Sequence, residues 1–443
     1  MKKNIKWLVL ILLLIAGIVV FWQYPKLNLI SGFAAKNTAS TIYISGRSLN
    51  SIEAYDHDVP LVKLASSSYN KDEKSSLANV FGLMERKATC RDGLGCVLTN
   101  GEVDPRVYTQ KPIRIIKKIP LPYPLGHLAE KDTLFENIDY GLLNSALDNV
   151  FADTVKTRTA LVLYKGNIIA ERYAEGFNKA TPILGWSMTK SVLATLYGIL
   201  EHQGRINVED KVSLPSWKND ERKNITLNHL LRMQSGLAWD EDYSTISDVT
   251  KMLFMESNMA ASQAVKEQLA QPTEIWNYSS GTTNLLSGLL HNTFSNYQNY
   301  LNFPYKALID KIGMHSMLLE TDLAGNYVAS SYGWASTRDW GKFGQLYLQE
   351  GNWNGEQLFH PDWVSYITTP TAHSDGIYGA HFWLNAEGKF PDVPKDMYSA
   401  NGYQGQHVFI IPSAELVVVR TGLAEAPQFD TNTFLSEILT AIR

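Results

Sequence analysis

Ser187 and Lys190 stand three residues apart in Gly185-Trp186-Ser187-Met188-Thr189-Lys190-Ser191, and together they offer a nucleophile and a base. If a helix starts near Ser187, residues at this spacing share one face and the amine can reach the hydroxyl. A serine hydroxyl attacks poorly until a neighbouring group takes its proton. A lysine can be that group only where desolvation or a nearby cation lowers its pKa towards neutrality. Free N–H groups and the positive dipole end at a helix start would also favour negative charge developing there. The plainer reading of Ser187, a helix N-cap, asks for the same local geometry. A second copy of the spacing, Ser68-Tyr69-Asn70-Lys71, lies among Ser66, Ser67, Asp72, Glu73 and Lys74 with no apolar period behind it. That copy is expected to be a solvated loop.

The elements that must position Ser187 are legible around it. Met188, Val192, Leu193, Leu196, Ile199 and Leu200 repeat at three and four, which predicts a buried helix closed by Gly204 after His202. Upstream, Leu142, Leu143, Ala146, Leu147, Val150 and Phe151 predict an amphipathic helix. Thr159 to Tyr164 and Ile168 to Tyr173 read as two strands joined by Lys165-Gly166-Asn167. Far downstream, His407 to Ile411 and Leu416 to Arg420 flank Pro412-Ser413-Ala414-Glu415 as another hairpin, and Phe434, Leu435, Ile438, Leu439 and Ile442 close the chain as a helix. Strands at both ends with helical sequence between them imply an α+β fold. In it, a mainly antiparallel sheet is covered by terminal helices and carries a large helical insertion. Two further stretches face the same question. Trp276-Asn277-Tyr278-Ser279-Ser280-Gly281 lies inside the insertion, and Asn401-Gly402-Tyr403-Gln404-Gly405-Gln406-His407 enters a late strand.

Composition excludes several alternatives. A share of 45% hydrophobic and 19% charged residues is that of a globular chain, and 443 residues allow two or three domains. Net charge is −4 with no basic stripe, so nucleic acid is not an expected partner. Two cysteines are too few for a zinc site, and no His-Glu-x-x-His occurs, so no metal is expected. Gly185-Trp186-Ser187 is not followed by a glycine two positions on, which argues against an α/β-hydrolase elbow.

Lys2, Lys3 and Lys6 precede an uninterrupted apolar run from Trp7 to Trp22. Sixteen helical residues span about 24 Å, somewhat less than the ~30 Å hydrocarbon core. No small-x-small cleavage site follows the run. Residues 1–24 are therefore expected to be an uncleaved anchor, with secretion the outcome if the segment is removed. The lysines would leave the N-terminus cytoplasmic and the remainder extracytoplasmic, at the periplasmic face of a cell membrane. Cys90 and Cys96 flank Arg91-Asp92-Gly93-Leu94-Gly95, whose glycines permit the turn a disulfide needs. Closing so small a loop would contribute roughly 2 kcal/mol, and a bridge agrees with an oxidising compartment. Residues 25–138 read as a mixed extension. Thr41-Ile42-Tyr43-Ile44 is a candidate short strand, Ser66 to Ser76 is polar, and four prolines lie between Pro112 and Pro124.

In order along the chain, these motifs resemble the penicillin-recognising serine hydrolases. The resemblance is to the class C β-lactamase-related branch that includes carboxylesterases and 6-aminohexanoate-dimer hydrolases. Besides Ser187-Met188-Thr189-Lys190 and Tyr278-Ser279-Ser280, it rests on Ile225-Thr226-Leu227-Asn228-His229-Leu230-Leu231, Ser235-Gly236-Leu237 and Tyr332-Gly333-Trp334-Ala335-Ser336-Thr337-Arg338-Asp339-Trp340. Gly402 to His407, leading into Val417-Val418-Val419-Arg420-Thr421-Gly422, completes it. The likeness implies a hydrolase domain over residues 139–443, an antiparallel sheet flanked by helices with an all-helical subdomain, and an active site in the groove between them. Carried over, it makes Ser187 the acylated nucleophile, Lys190 its base, and Tyr278 the group that passes the proton to the leaving group. Ser280 joins that network, the backbone N–H groups of Ser187 and Gln406 form an oxyanion hole, and Tyr403, Gln404 and Gly405 belong to the substrate-binding set. Tyr243 resembles a substrate-facing tyrosine of the dimer hydrolases, a packed surface tyrosine being the other reading.

Two departures bear on the substrate. Ser280 stands where β-lactamases usually have Asn, as in the dimer hydrolases. Tyr403-Gln404-Gly405 replaces Lys-Thr-Gly and so lacks the cation for a β-lactam carboxylate. The resemblance therefore points to a small-molecule ester or linear amide as substrate and to no cofactor. The alternative is a penicillin-binding-like sensor or wall-binding module that acylates without turnover.

Overall fold

The computed structural model describes residues 2–99 and 109–443; residues 100–108 of the extension lie outside the described residues. Lys2–Ser40 form one helix, α1, which runs through Pro25. A π-helical turn over Thr41–Ser45 prolongs it where a short strand was expected. Strands β1 (Ala65–Asn70), β2 (Ser75–Val80), β3 (Leu83–Arg91) and β4 (Gly95–Thr99) then pair in that order as an antiparallel sheet. Ser68 thus sits on a largely exposed edge strand rather than in a loop. Cys90 and Cys96 lie opposite each other across the β3–β4 hairpin and are joined as a disulfide.

Residues 25–99 of the extension form a packed layer of helix and sheet, whereas residues 109–138 carry almost no regular structure, in keeping with their prolines. Small residues on α1, Ala34, Ala35 and Ala39, let its backbone lie close to the sheet, and the Ser76 hydroxyl donates to the Ala35 carbonyl at 2.6 Å. Lys36 forms a 2.6 Å ion pair with Glu320, both buried. Glu320 also accepts from the hydroxyl of Ser40, the backbone N–H of Cys96 and the indole of Trp334. Each of these donors compensates the carboxylate for water lost on burial.

This packing corrects the expectation of an anchor. Among the described residues no helix is long and apolar enough to cross a membrane. The run from Trp7 to Trp22 is short for the task, and the same helix continues from Leu29 to Ser40 into the protein core. The single-pass topology, the membrane partnership through this helix and the periplasmic placement inferred from it are overturned together.

Beyond the extension come α2 (Tyr140–Val150), β5 (Thr157–Tyr164), β6 (Asn167–Tyr173), β7 (Ile183–Leu184) and α3 (Met188–His202). The helical insertion holds α4 (Leu227–Leu231), α5 (Asp248–Met255), α6 (Met259–Ala264), α7 (Ser280–Asn292) and α8 (Tyr297–Pro304). After β8 (Leu318–Leu319), β9 (Gly333–Ala335) and α9 (Thr337–Leu348), the chain returns through β10 (Trp383–Leu384), β11 (Tyr398–Gly402), β12 (Gln406–Ile411) and β13 (Leu416–Gly422) to α10 (Thr431–Thr440). The main sheet is antiparallel in the order β10-β11-β12-β13-β5-β6. Its first and last long strands meet, with Leu416 opposite Tyr164 and Arg420 opposite Ala160.

One face of the sheet packs on the terminal helices through Leu143, Leu147, Phe434 and Ile438. The other packs on α3 and α9 through Val192, Leu196, Trp340 and Phe343. Strands alternate their side chains between faces, so a sheet covered on both sides needs apolar residues at nearly every position. The runs Ala160-Leu161-Val162-Leu163 and Leu416-Val417-Val418-Val419 meet that need, and all are buried.

Candidate active site

Ser187 is the N-cap residue of α3, reached through a turn in which Trp186 adopts the left-handed region at φ 48°. A bulky residue seldom holds that conformation unless its surroundings impose it. Here the turn is pinned on both sides. Gly185 N–H donates to the Gly333 carbonyl at 2.8 Å, and the Thr189 hydroxyl donates back to the Trp186 carbonyl at 2.7 Å. Ser187 is left half-buried while Lys190, one turn on, is fully enclosed.

The amine of Lys190 lies 2.8 Å from the Ser187 hydroxyl, 2.8 Å from the Ser280 hydroxyl and 3.0 Å from the Ser330 carbonyl. It also lies 4.9 Å from the centre of the Tyr278 ring. Burial lowers the Lys190 pKa to about 8, with the charge of Glu241 acting in the opposite sense. Burial raises the Tyr278 phenol, again with Glu241 adding to the rise and Ser187 opposing it. One low-dielectric site therefore shifts both groups towards neutrality, loosening the amine's hold on its proton and strengthening the phenol's.

Tyr278 is held from behind by the rings of Trp383 and Tyr378, at 5.3 and 5.7 Å between centres. Ser280 begins α7 and is fully buried. Sequence reasoning gave Glu241 no role, yet its carboxylate organises this side of the site. It accepts from the Ser280 hydroxyl at 2.5 Å and the Ser280 N–H at 2.8 Å. The Trp239 indole and the Tyr243 hydroxyl donate to it as well. The available signal was an acidic residue set between two aromatics, Trp239 and Tyr243.

The β11–β12 hairpin supplies the opposite wall. A Cβ at Gly402 would stand 2.1 Å from the Gly185 carbonyl, so only glycine lets this strand end abut the turn that carries Ser187. Gly405 has φ 77°, and a Cβ there would stand 2.2 Å from the Ala424 carbonyl. Buried Arg420 holds the loop by donating to the carbonyls of Gly405, Ala424 and Val155. The Gln406 side chain bonds within the loop, to Gly422 and Tyr403, and its backbone opens β12. Gln404 donates its N–H to the Glu425 carboxylate. Tyr403 stacks on Tyr243 at 5.2 Å and meets Trp186 edge-on at 5.5 Å. Sequence-derived candidates from three separate stretches thus converge. Cys90 and Cys96 belong to the extension and serve its hairpin instead.

The beta-lactamase family model matches residues 147–429 of this chain. The chain belongs to the beta-lactamase family. Solved structures with the same fold include a family VIII carboxylesterase, at 13% identity and a TM-score of 0.57 over 71% of this chain and 99% of that one. A protein described as a 6-aminohexanoate-dimer hydrolase from Bacillus anthracis matches at 22% identity and 0.56, over 68% of this chain and 80% of that one. A D-stereospecific amidohydrolase from Streptomyces sp. matches at 15% and 0.51, over 69% and 98%. At these identities the likeness is one of fold, and the fold is one that hydrolases use. All three coverages of this chain leave out about a third of it.

Proposed function

We propose that this member of the beta-lactamase family is a serine hydrolase that cleaves an ester or linear amide through an acyl-enzyme on Ser187. The observation that carries the reading is the 2.8 Å approach of the Lys190 amine to the Ser187 hydroxyl, in surroundings that hold its pKa near 8. A base poised near the working pH is the efficient one.

In acylation, Lys190 takes the Ser187 proton as Oγ attacks the carbonyl carbon. The negative charge that moves to the carbonyl oxygen is met by the N–H groups of Ser187 and Gln406. Tyr278, a neutral phenol, gives its proton to the leaving alcohol or amine and is reprotonated from the Lys190 ammonium. The bond to the leaving group breaks and the acyl group stays on Ser187. In deacylation, water loses its proton to the same pair, attacks the acyl carbon and releases the acid, returning Ser187 to its hydroxyl form.

Tyr403-Gln404-Gly405 offers no cation to a β-lactam carboxylate, which supports esters and linear amides over penicillins. The experiment is steady-state turnover of a panel of p-nitrophenyl esters, linear amides and nitrocefin by the full chain and by Ser187→Ala. Loss of turnover in the variant supports the reading. Equal turnover in both moves the nucleophile elsewhere, and a stoichiometric burst without steady state favours the acylating sensor.

A further inference from the structure

A cavity of about 420 Å³ lies between the extension and the catalytic region. Small-ligand sites run from roughly 300 to 1,000 Å³, so it is large enough for part of a substrate. One wall is α1 and the loop after it, through Leu29, Ile30, Phe33, Val59 and Val62. The other is Trp186, Tyr243 and Tyr403, with Phe254 between the two walls. Trp186 is the residue before the nucleophile, and Phe33 of the extension stacks on it at 6.3 Å with the planes 14° apart. Two further lining residues tie the cavity to the site: Tyr243 donates to the Glu241 carboxylate that holds Ser280, and Tyr403 meets Trp186 edge-on. Nearly half of the lining is contributed by sequence that lies outside the residues matched by the family model.

Its chemistry is that of a hydrocarbon site. Among the lining residues only Lys26 and Asp242 carry charge; they are opposite in sign, and Asp242 is exposed. The rest is aliphatic and aromatic with a few hydroxyls. An apolar chain entering it loses water and gains contact, whereas a terminal ammonium or carboxylate would find no buried partner.

We infer that this cavity takes an uncharged apolar chain of the substrate, and that the extension thereby sets the chain length the enzyme accepts. The inference rests on the hydrolase reading above. The substrate class it names is an ester or amide bearing an alkyl or aryl chain, with the chain lying against Ile30 and Val59 while the scissile carbonyl sits at Ser187.

The test is kcat/KM for p-nitrophenyl esters from acetate to octanoate, beside acetate esters of alcohols of rising length. Each buried methylene is expected to raise kcat/KM about fourfold until the cavity is full, 0.8 kcal/mol per CH2 being the conversion. The series that rises identifies which side of the scissile bond enters. Two variants that fill the cavity from different elements, Ile30→Phe and Val59→Trp, should flatten the rise at shorter chains while leaving the acetate ester within about twofold. A 6-aminohexanoyl p-nitroanilide should be a poorer substrate than its hexanoyl counterpart. A chain-length profile unchanged in both variants, or preference for the ω-amino chain, overturns the inference while leaving the hydrolase reading intact. Failure of every ester and amide at every length, by contrast, sinks the hydrolase reading and this inference with it.

Discussion

The Glu241 carboxylate accepts a 2.5 Å hydrogen bond from the Ser280 hydroxyl, and this fixes which way the Ser280 oxygen faces Lys190. With its own proton turned away, Ser280 can only accept from the lysine, at 2.8 Å. The Ser330 carbonyl can only accept too, at 3.0 Å. A neutral amine has two hydrogens and one lone pair. Both hydrogens are therefore assigned, and the lone pair is left facing the Ser187 hydroxyl.

Glu241 is thus a positioning residue, and its replacement has a signature beyond lost activity. Glu241→Gln removes a negative charge that favours the Lys190 ammonium, so the alkaline-rising limb of kcat/KM should move to lower pH. An amide that donates to Ser280 would also misdirect the lone pair, lowering kcat by about tenfold or more, on the scale of general-base contributions. A pH–rate profile with an unmoved limb would show that Glu241 acts only as packing.

For the unaltered chain, kcat/KM should rise with pH to an inflection near 8 as Lys190 becomes a free base. Tyr278 stays protonated throughout that range, because burial raises its pKa. Lys190→Ala should abolish the limb and cost several orders of magnitude in kcat, as removal of one member of a coupled catalytic set does.

The same depressed pKa gives a stability prediction whose sign follows from proton binding. Between pH 8 and 10.5 the unfolded chain binds a proton at Lys190 that the folded chain does not, so stability rises with pH across that window. Below it, the cost stays constant at about 3 kcal/mol. Urea unfolding should therefore show a rise from pH 8 to 10 in the native sequence that is absent from Lys190→Met.

Lys36 and Glu320 tie α1 to the catalytic region across 284 residues of chain. Breaking a buried pair by removing one member typically costs about 3 kcal/mol or more. Glu320→Ala should lower the urea midpoint accordingly, because it strands Lys36 and three further donors. A change below about 1 kcal/mol would mean that the extension contributes little to folding stability.

The elements that carry the candidate site were legible in sequence because their signals are local. Ser187 and Lys190 share a helical face by spacing alone, and the 157–173 and 406–422 hairpins announce themselves through apolar runs around short turns. In the extension the Cys90–Cys96 bridge and the irregular proline-rich stretch were legible, but the packing of its helix on its sheet was not. Strand β1 is an exposed edge with serine on both faces, so it has no alternating apolar pattern. The buried stretch of α1 presents alanines whose burial follows from a sheet that packs against them later in the chain. Glu241 was missed for a related reason: its partner Ser280 lies 39 residues away, and a carboxylate in a turn reads as solvated until that partner is known. The apolar start of α1 misled for the opposite reason, since hydropathy over sixteen residues says nothing of the packed helix that continues it.

The most direct measurement is mass spectrometry of the acid-quenched full chain after mixing with a turned-over p-nitrophenyl ester or a serine-reactive phosphonate, followed by peptide mapping. One adduct per chain is expected, on the peptide containing Ser187, absent from Ser187→Ala and slow to form in Lys190→Ala. An adduct on any other residue, or normal labelling of the Ser187→Ala chain, would contradict that expectation.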